Sequence, residues 1–194
     1  MTAKMTAQTT TDADSAFFFS HPLSSPHLRD KSYTQVLGGS ALHHDPFFRR
    51  AARTNSAVLR GAFVFRALPN PEGHLFLHVG HGVCGQSGVA HGGFLATVMD
   101  EVSGNLIAST RLDEGLGMFT AALNMGYKRP VLVEGYDLVT GKGEGDGRGN
   151  VIMATARLGK VEGRKVFIVA EIRDESGELC TTAELIFVKK KPVL

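Results

Sequence analysis

Apolar positions divide the chain near residue 56. From Ser56 to Leu68, Val and Phe crowd together as in a strand; Asn70-Pro71-Glu72-Gly73 reads as a turn, and Gly73 to Val79 as the second arm of a hairpin. Residues 80 to 90 read as a glycine-rich loop. His91 to Thr110 is the one long stretch with helical spacing. Apolar runs then resume at Phe119 to Arg129, Leu132 to Gly141, Asn150 to Lys160, Lys165 to Asp174 and Leu179 to Lys189, with glycine-bearing turns between most of them. Short hairpins join antiparallel neighbours. The pattern therefore predicts an α+β fold, a single antiparallel sheet with one long helix on its face. Upstream, Pro22, Pro26, Pro46 and Gly38-Gly39 predict short helices and loops. The Thr-, Ala- and Asp-rich start predicts a disordered tail. The expected division is a tail over 1–20, a helical and loop extension over 21–55, and one folded domain over 56–190.

Composition narrows this picture. The 194 residues are 43% apolar, enough for a sizeable core. With 21 Lys and Arg against 19 Asp and Glu, the net charge is +2. That speaks against a dedicated nucleic-acid binder and a polybasic membrane anchor. No apolar run approaches the roughly 18 residues of a membrane span. Cys84 and Cys180 form no disulfide framework, which points to a reducing, cytoplasmic setting. Asp12 and Asp14 precede the first arginine, Arg29, unlike the Arg-rich, acid-poor pattern of a mitochondrial presequence. The alternating glycines from Gly141 to Gly149 lack the spacing of a phosphate loop and lead into a strand, so they read as a hairpin turn. His74, His78, His81, Cys84 and His91 supply zinc-ligand types at no standard spacing, and neither a metal nor a cofactor is expected.

The helix carries the chemistry. At about 100° per residue, Gly93, Ala96, Thr97, Ser103, Gly104 and Ile107 fall within about 60° of Asp100, while Leu95, Val98, Val102 and Leu106 take the opposite side. One stripe is bulky and suited to the sheet. The other is small, with a carboxylate in its middle that neighbours and desolvation would tune. The helix opens on His91-Gly92-Gly93, whose first N–H groups lack helical acceptors and sit at the positive end of the dipole. Gly92 could thus anchor a polarised carbonyl oxygen. Asp100 is eight residues further on, about 12 Å along the axis, so one carbonyl cannot touch both. Either a single group matters, or two antiparallel helices from a two-fold homodimer combine the Gly end of one with the Asp of the other.

Three runs, His91 to Asp100, Leu123 to Pro130 and Lys160 to Lys165, resemble the hotdog-fold acyl-CoA thioesterases of the phenylacetate-pathway type. Within them, the resemblance is to the group that includes the carboxyl-terminal modulator protein. It covers about residues 56 to 190. It implies a sheet wrapped around a central helix, an acyl-CoA substrate, and sites at a homodimer interface, with pairing of dimers left open. By that resemblance Asp100 is the catalytic carboxylate, as general base or as nucleophile, Gly92 the oxyanion donor and Thr120 an assisting hydroxyl; His91 belongs to the same catalytic set, packing to fix the loop, and Gly93 is a candidate substrate contact. Gln86, Lys128 and Arg129 are candidate substrate contacts, Arg164 and Lys165 further cations for the CoA phosphates. Many relatives carry Asn about six residues before the histidine; here Gly85 stands there. Two alternatives stay open: a dehydratase or hydratase acting on an acyl thioester, and a non-catalytic interaction protein.

Overall fold

The computed structural model describes residues 13–36, 54, 56–86, 88–134 and 149–191. In chain order the elements are α1 (13–20), α2 (Ser25–Arg29), β1 (Thr34–Val36), β2 (Val58–Arg66), β3 (Glu72–Val79), β4 (Cys84–Gln86), β5 (Val89–Ala90), α3 (Gly92–Thr110), β6 (Met118–Tyr127), β7 (Asn150–Glu162), β8 (Lys165–Arg173) and β9 (Leu179–Lys189). Seven strands form one antiparallel sheet in the order β1-β2-β3-β7-β8-β9-β6, and β4 with β5 makes a separate small ribbon. The α+β architecture expected from the pattern is present, with α3 as the helix the sheet encloses.

The sheet holds α3 through Leu95, Val98, Met99, Val102, Leu106 and Ile107, all buried. Burial of each such side chain contributes about 1.5–3 kcal/mol. Strand β8 shows the alternation of a one-sided strand: Val166, Ile168, Ala170 and Ile172 face the core and their neighbours do not. Strand β3 is instead buried without a break from Gly73 to Leu77, and β7 from Val151 to Ala156. The reason lies on the outer face. There α1 and α2 pack Phe18 and Leu28 over Ala62, Val64, Phe76, Val151 and Met153. The register places Ala62 opposite Phe76 and Phe76 opposite Met153, so these side chains form one row across three strands. Half of the sheet is therefore covered on both faces, and the half toward β6 on one.

Several expectations need correction. Residues 13–20 of the expected tail form a helix with Phe18 fully buried, whereas 1–12 lie outside the described residues. The extension contains a strand, β1, paired with the far end of β2; three residues are too few to show a period. Of the strand expected over Leu132 to Gly141, the described part is Leu132 to Glu134, where Leu132 makes only an isolated bridge to Val89. The rest, with most of the glycine-rich turn, lies outside the described residues. The 80–90 loop contains the β4–β5 ribbon. Ser103 and Ile107, assigned to the small stripe with Asp100, are buried. The sheet curls far enough round α3 for β2, β3, β6, β7, β8 and β9 all to touch it, which leaves less of the helix free than a flat support would. Ser103 satisfies its hydroxyl within the helix by donating to the Met99 carbonyl at 2.7 Å.

Candidate active site

His91 forms the N-cap of α3: its backbone is extended, and its ring Nδ1 accepts the Gly93 N–H at 2.9 Å. A ring nitrogen that accepts is unprotonated, so the neutral imidazole carries its proton on Nε2. With Gly93 N–H occupied, the Gly92 and Phe94 N–H groups are the donors of the first turn with no acceptor among the described residues. The first turn of α3 holds no acidic residue, so its positive end is not neutralised from within the helix. A groove of about 400 Å³ opens there, lined by Gly92, Leu95, Tyr127, Lys128, Arg129 and Pro130 among others. An anion or a polarised carbonyl oxygen suits such a place.

Asp100 sits half-buried in the middle of α3. Its Oδ1 accepts a hydrogen bond from the Thr120 hydroxyl at 2.7 Å, which fixes one carboxylate oxygen and leaves the other for chemistry. Neither residue lines the Gly92 groove. The structure thus joins Asp100 to Thr120 at one place and gathers His91, Gly92 and Gly93 at another, and within one chain it does not bring the two sets together. Both border β6, the last strand of the sheet, whose outer edge has no neighbour among the described residues. On that strand Phe119 and Tyr127 are more than half exposed.

The remaining candidates divide. Lys128 and Arg129 lie at the rim of the groove, and Arg129 pairs with Glu178 at 2.9 Å on the surface, a contact of small energetic weight. Gln86 is exposed at the end of β4, paired through its backbone with Val89. Arg164 donates to the Lys189 carbonyl at 3.0 Å. The histidine-rich stretch is dispersed: His74 bonds Thr155 and Tyr33 under α2, His78 stacks on Phe17, and His91 caps α3. Among the described residues no group of three or more His, Cys, Asp or Glu could hold a metal ion.

Gly85 has a local cause. A Cβ there would lie 2.6 Å from His91 Cδ2 and 3.1 Å from His91 Cα. The cap ring fills the space a side chain would take, so this chain cannot carry both an Asn at 85 and His91 in its present pose. Gly85→Ala is expected to lower stability by about 1–3 kcal/mol, read as a drop in thermal midpoint.

One site residue escaped sequence reasoning. The Tyr127 hydroxyl donates to the Gly92 carbonyl at 2.9 Å. Thr120 and Tyr127 are seven positions apart, so strict alternation would point them to opposite faces. A register irregularity between Thr120 and Ala122 inserts the extra residue that turns both toward α3. Nothing in the sequence marks that bulge.

Residues 87–143 match the family described as the thioesterase superfamily. The PaaI protein of E. coli, from the phenylacetic acid degradation operon, superposes with a TM-score of 0.50 at 15% identity, over 63% of this chain and 75% of that one. The fold is hotdog-like. The segment that matches the family runs from just before the α3 cap, through Asp100 and Thr120, past Tyr127. Acyl-coenzyme A thioesterase THEM4 of Mus musculus is 24% identical over 92% of this chain and 60% of its own length. The Rattus norvegicus protein of that name is 32% identical over 56% of this chain and 39% of its own. The chain thus matches about 40–60% of the length of these relatives. Among the described residues no helix is long and apolar enough to cross a membrane.

Proposed function

We propose that this chain hydrolyses the thioester of an acyl-CoA in a site assembled by two copies. The observation that carries the reading is the placement of two half-sites along one strand, β6, whose outer edge has no neighbour among the described residues: Gly92 with its groove, and Asp100 held by Thr120. The 12 Å or so between them along α3 is too long for one carbonyl, but a second copy joined antiparallel along β6 would set its Asp100 against the first copy's Gly92.

The thioester carbonyl oxygen accepts the Gly92 N–H, and the dipole of α3 stabilises the charge that grows on it as water adds to the carbon. The partner subunit's Asp100 takes a proton from that water, with Thr120 holding its other oxygen. The C–O bond forms, the C–S bond breaks, and the proton passes to the departing CoA thiolate, giving free acid and CoA. Lys128 and Arg129 at the groove rim suit the CoA phosphates. His91 acts as the cap that occupies Gly93 N–H and orients the loop.

Release of free thiol from short, medium, long and aromatic acyl-CoAs is expected with the wild-type chain. Mixing Asp100→Asn with Gly92→Pro chains tests the sharing. Proline is well accepted at the first helical position, where it removes the N–H and adds a Cβ to which the Tyr127 ring must yield by a few tenths of an ångström. Random pairing leaves one intact site in each mixed dimer, so activity should return to about one quarter of wild type. No recovery after demonstrated subunit exchange overturns the shared site; no turnover of any acyl-CoA overturns the hydrolase.

A further inference from the structure

We infer that Tyr127 is a positioning residue for the oxyanion donor, acting through the backbone of Gly92; this rests on the hydrolase reading above. Gly92 has two soft dihedrals and no Cβ to restrain them. The peptide plane that follows it is clamped at both edges. Its oxygen accepts the Tyr127 hydroxyl at 2.9 Å, and its N–H, that of Gly93, donates to His91 Nδ1 at 2.9 Å. The Tyr127 side chain also lies directly against Gly92: a Cβ at residue 92 would sit 3.1 Å from the hydroxyl oxygen and 3.3 Å from Cζ. The oxyanion donor, Gly92 N–H, belongs to the preceding plane and hinges on this clamped unit. Without the Tyr127 hydroxyl, one edge of the clamp is lost, at a helix start where ends fray first.

The same strand performs both tasks. Thr120 holds the carboxylate and Tyr127 holds the donor's peptide, and the bulge between Thr120 and Ala122 lets both hydroxyls face α3. An exposed tyrosine on a strand edge would have no energetic call for this hydrogen bond from packing alone. Its benefit falls on the geometry of the donor, which matters most when the oxyanion forms.

Tyr127→Phe keeps the ring and removes the hydroxyl. The expected result is a fall in kcat of about tenfold with KM within about twofold, an unchanged thermal midpoint, and faster amide exchange at Gly93. The deciding measurement is a double-mutant cycle. In the Gly92→Pro background, which has no N–H left to orient, Tyr127→Phe should have no further effect. A wild-type kcat in Tyr127→Phe overturns the assignment, and so does an undiminished further loss in the Gly92→Pro background. Asp100→Asn measured in parallel separates the two claims. No turnover of any acyl-CoA by the wild-type chain defeats the hydrolase reading itself, wild-type turnover in Asp100→Asn removes only Asp100 from it, and an inactive Asp100→Asn beside a fully active Tyr127→Phe defeats only the role of Tyr127.

Discussion

Replacing Asp100 by Asn is expected to lower acyl-CoA turnover by about 10²- to 10⁴-fold, the range that a positioned general base contributes. Asn has nearly the same shape, and its amide oxygen can keep accepting the Thr120 hydroxyl that Oδ1 accepts at 2.7 Å. The fold should therefore persist, with α3 still anchored by Val98, Met99 and Val102 on the turns around it. What disappears is the charge that takes a proton from water. The loss should fall on kcat and on kcat/KM alike, because an uncharged amide binds the ground state no worse. Steady-state kinetics on the best acyl-CoA, with circular dichroism and the thermal midpoint as controls, reads the effect. A folded variant with wild-type kcat removes Asp100 from the chemistry. The geometry also predicts the difference between Asp100 and its neighbour Glu101. Glu101 lies about 100° round the helix and bonds Asn105 at 3.2 Å, off the line that joins Asp100 to Thr120.

The sequence made some of this legible for definite reasons. Strand β9 runs over the residues its alternation announced, Leu179 to Lys189, because one face is buried and each glycine-bearing turn is short. The helix begins one residue later than its apolar pattern suggested, since His91 serves as cap rather than first turn. Asp100 and Gly92 stood out as a carboxylate among small residues and a glycine at a helix start. Thr120 came only from the family likeness, and Tyr127 not at all, because a bulge changes which side chains share a face without changing composition. The N-terminal cover escaped for another reason. Phe17-Phe18-Phe19 is an apolar run in a stretch otherwise rich in Thr and Asp, and it was the one local sign that this stretch docks. Its receiving surface, the row Ala62, Phe76 and Met153, exists only once three strands are paired in register.

That cover rests on a polar network that sets a second large expectation, loss of stability in acid. Glu72 is the hub. It accepts hydrogen bonds from the Tyr33 hydroxyl and from Arg157, lies 3.2 Å from His74 Nε2 and 3.4 Å from Arg66, and is mostly shielded from water. His74, on the other side, bonds Thr155 at 2.9 Å, and the His27 ring lies 4.2 Å from it. Arg157 also reaches Glu171 at 3.5 Å. Burial alone would raise the Glu72 carboxyl, but the Tyr33 and Arg157 hydrogen bonds outweigh it and hold the group down at about 2. Burial, then the nearby His27, push His74 down to about 4, and burial lowers His27 as well. Tyr33 is pushed up to about 12 by burial and by its bond to Glu72, so it stays a donor throughout.

Both signs agree. The unfolded chain binds a proton at His74 near pH 6.5 while the folded chain refuses it until about 4, so stability falls as pH drops through that interval. Glu72 stabilises fully above its ordinary value of 4.5 and loses that contribution as pH falls toward 2. Urea midpoints should thus decline from about pH 6.5 downward, and His74→Gln should flatten the upper part of that decline. At neutral pH, Glu72→Gln leaves Arg157 without its carboxylate and weakens the Tyr33 bond, a change expected to cost about 2–4 kcal/mol. Amide exchange over residues 13–36 should accelerate first, because Tyr33 and His27 connect that segment to β3 while α3 is held from the opposite face of the sheet. A midpoint that stays flat from pH 6.5 to 4, or a Glu72→Gln chain as stable as wild type, would remove the network from the forces that dock the N-terminal cover.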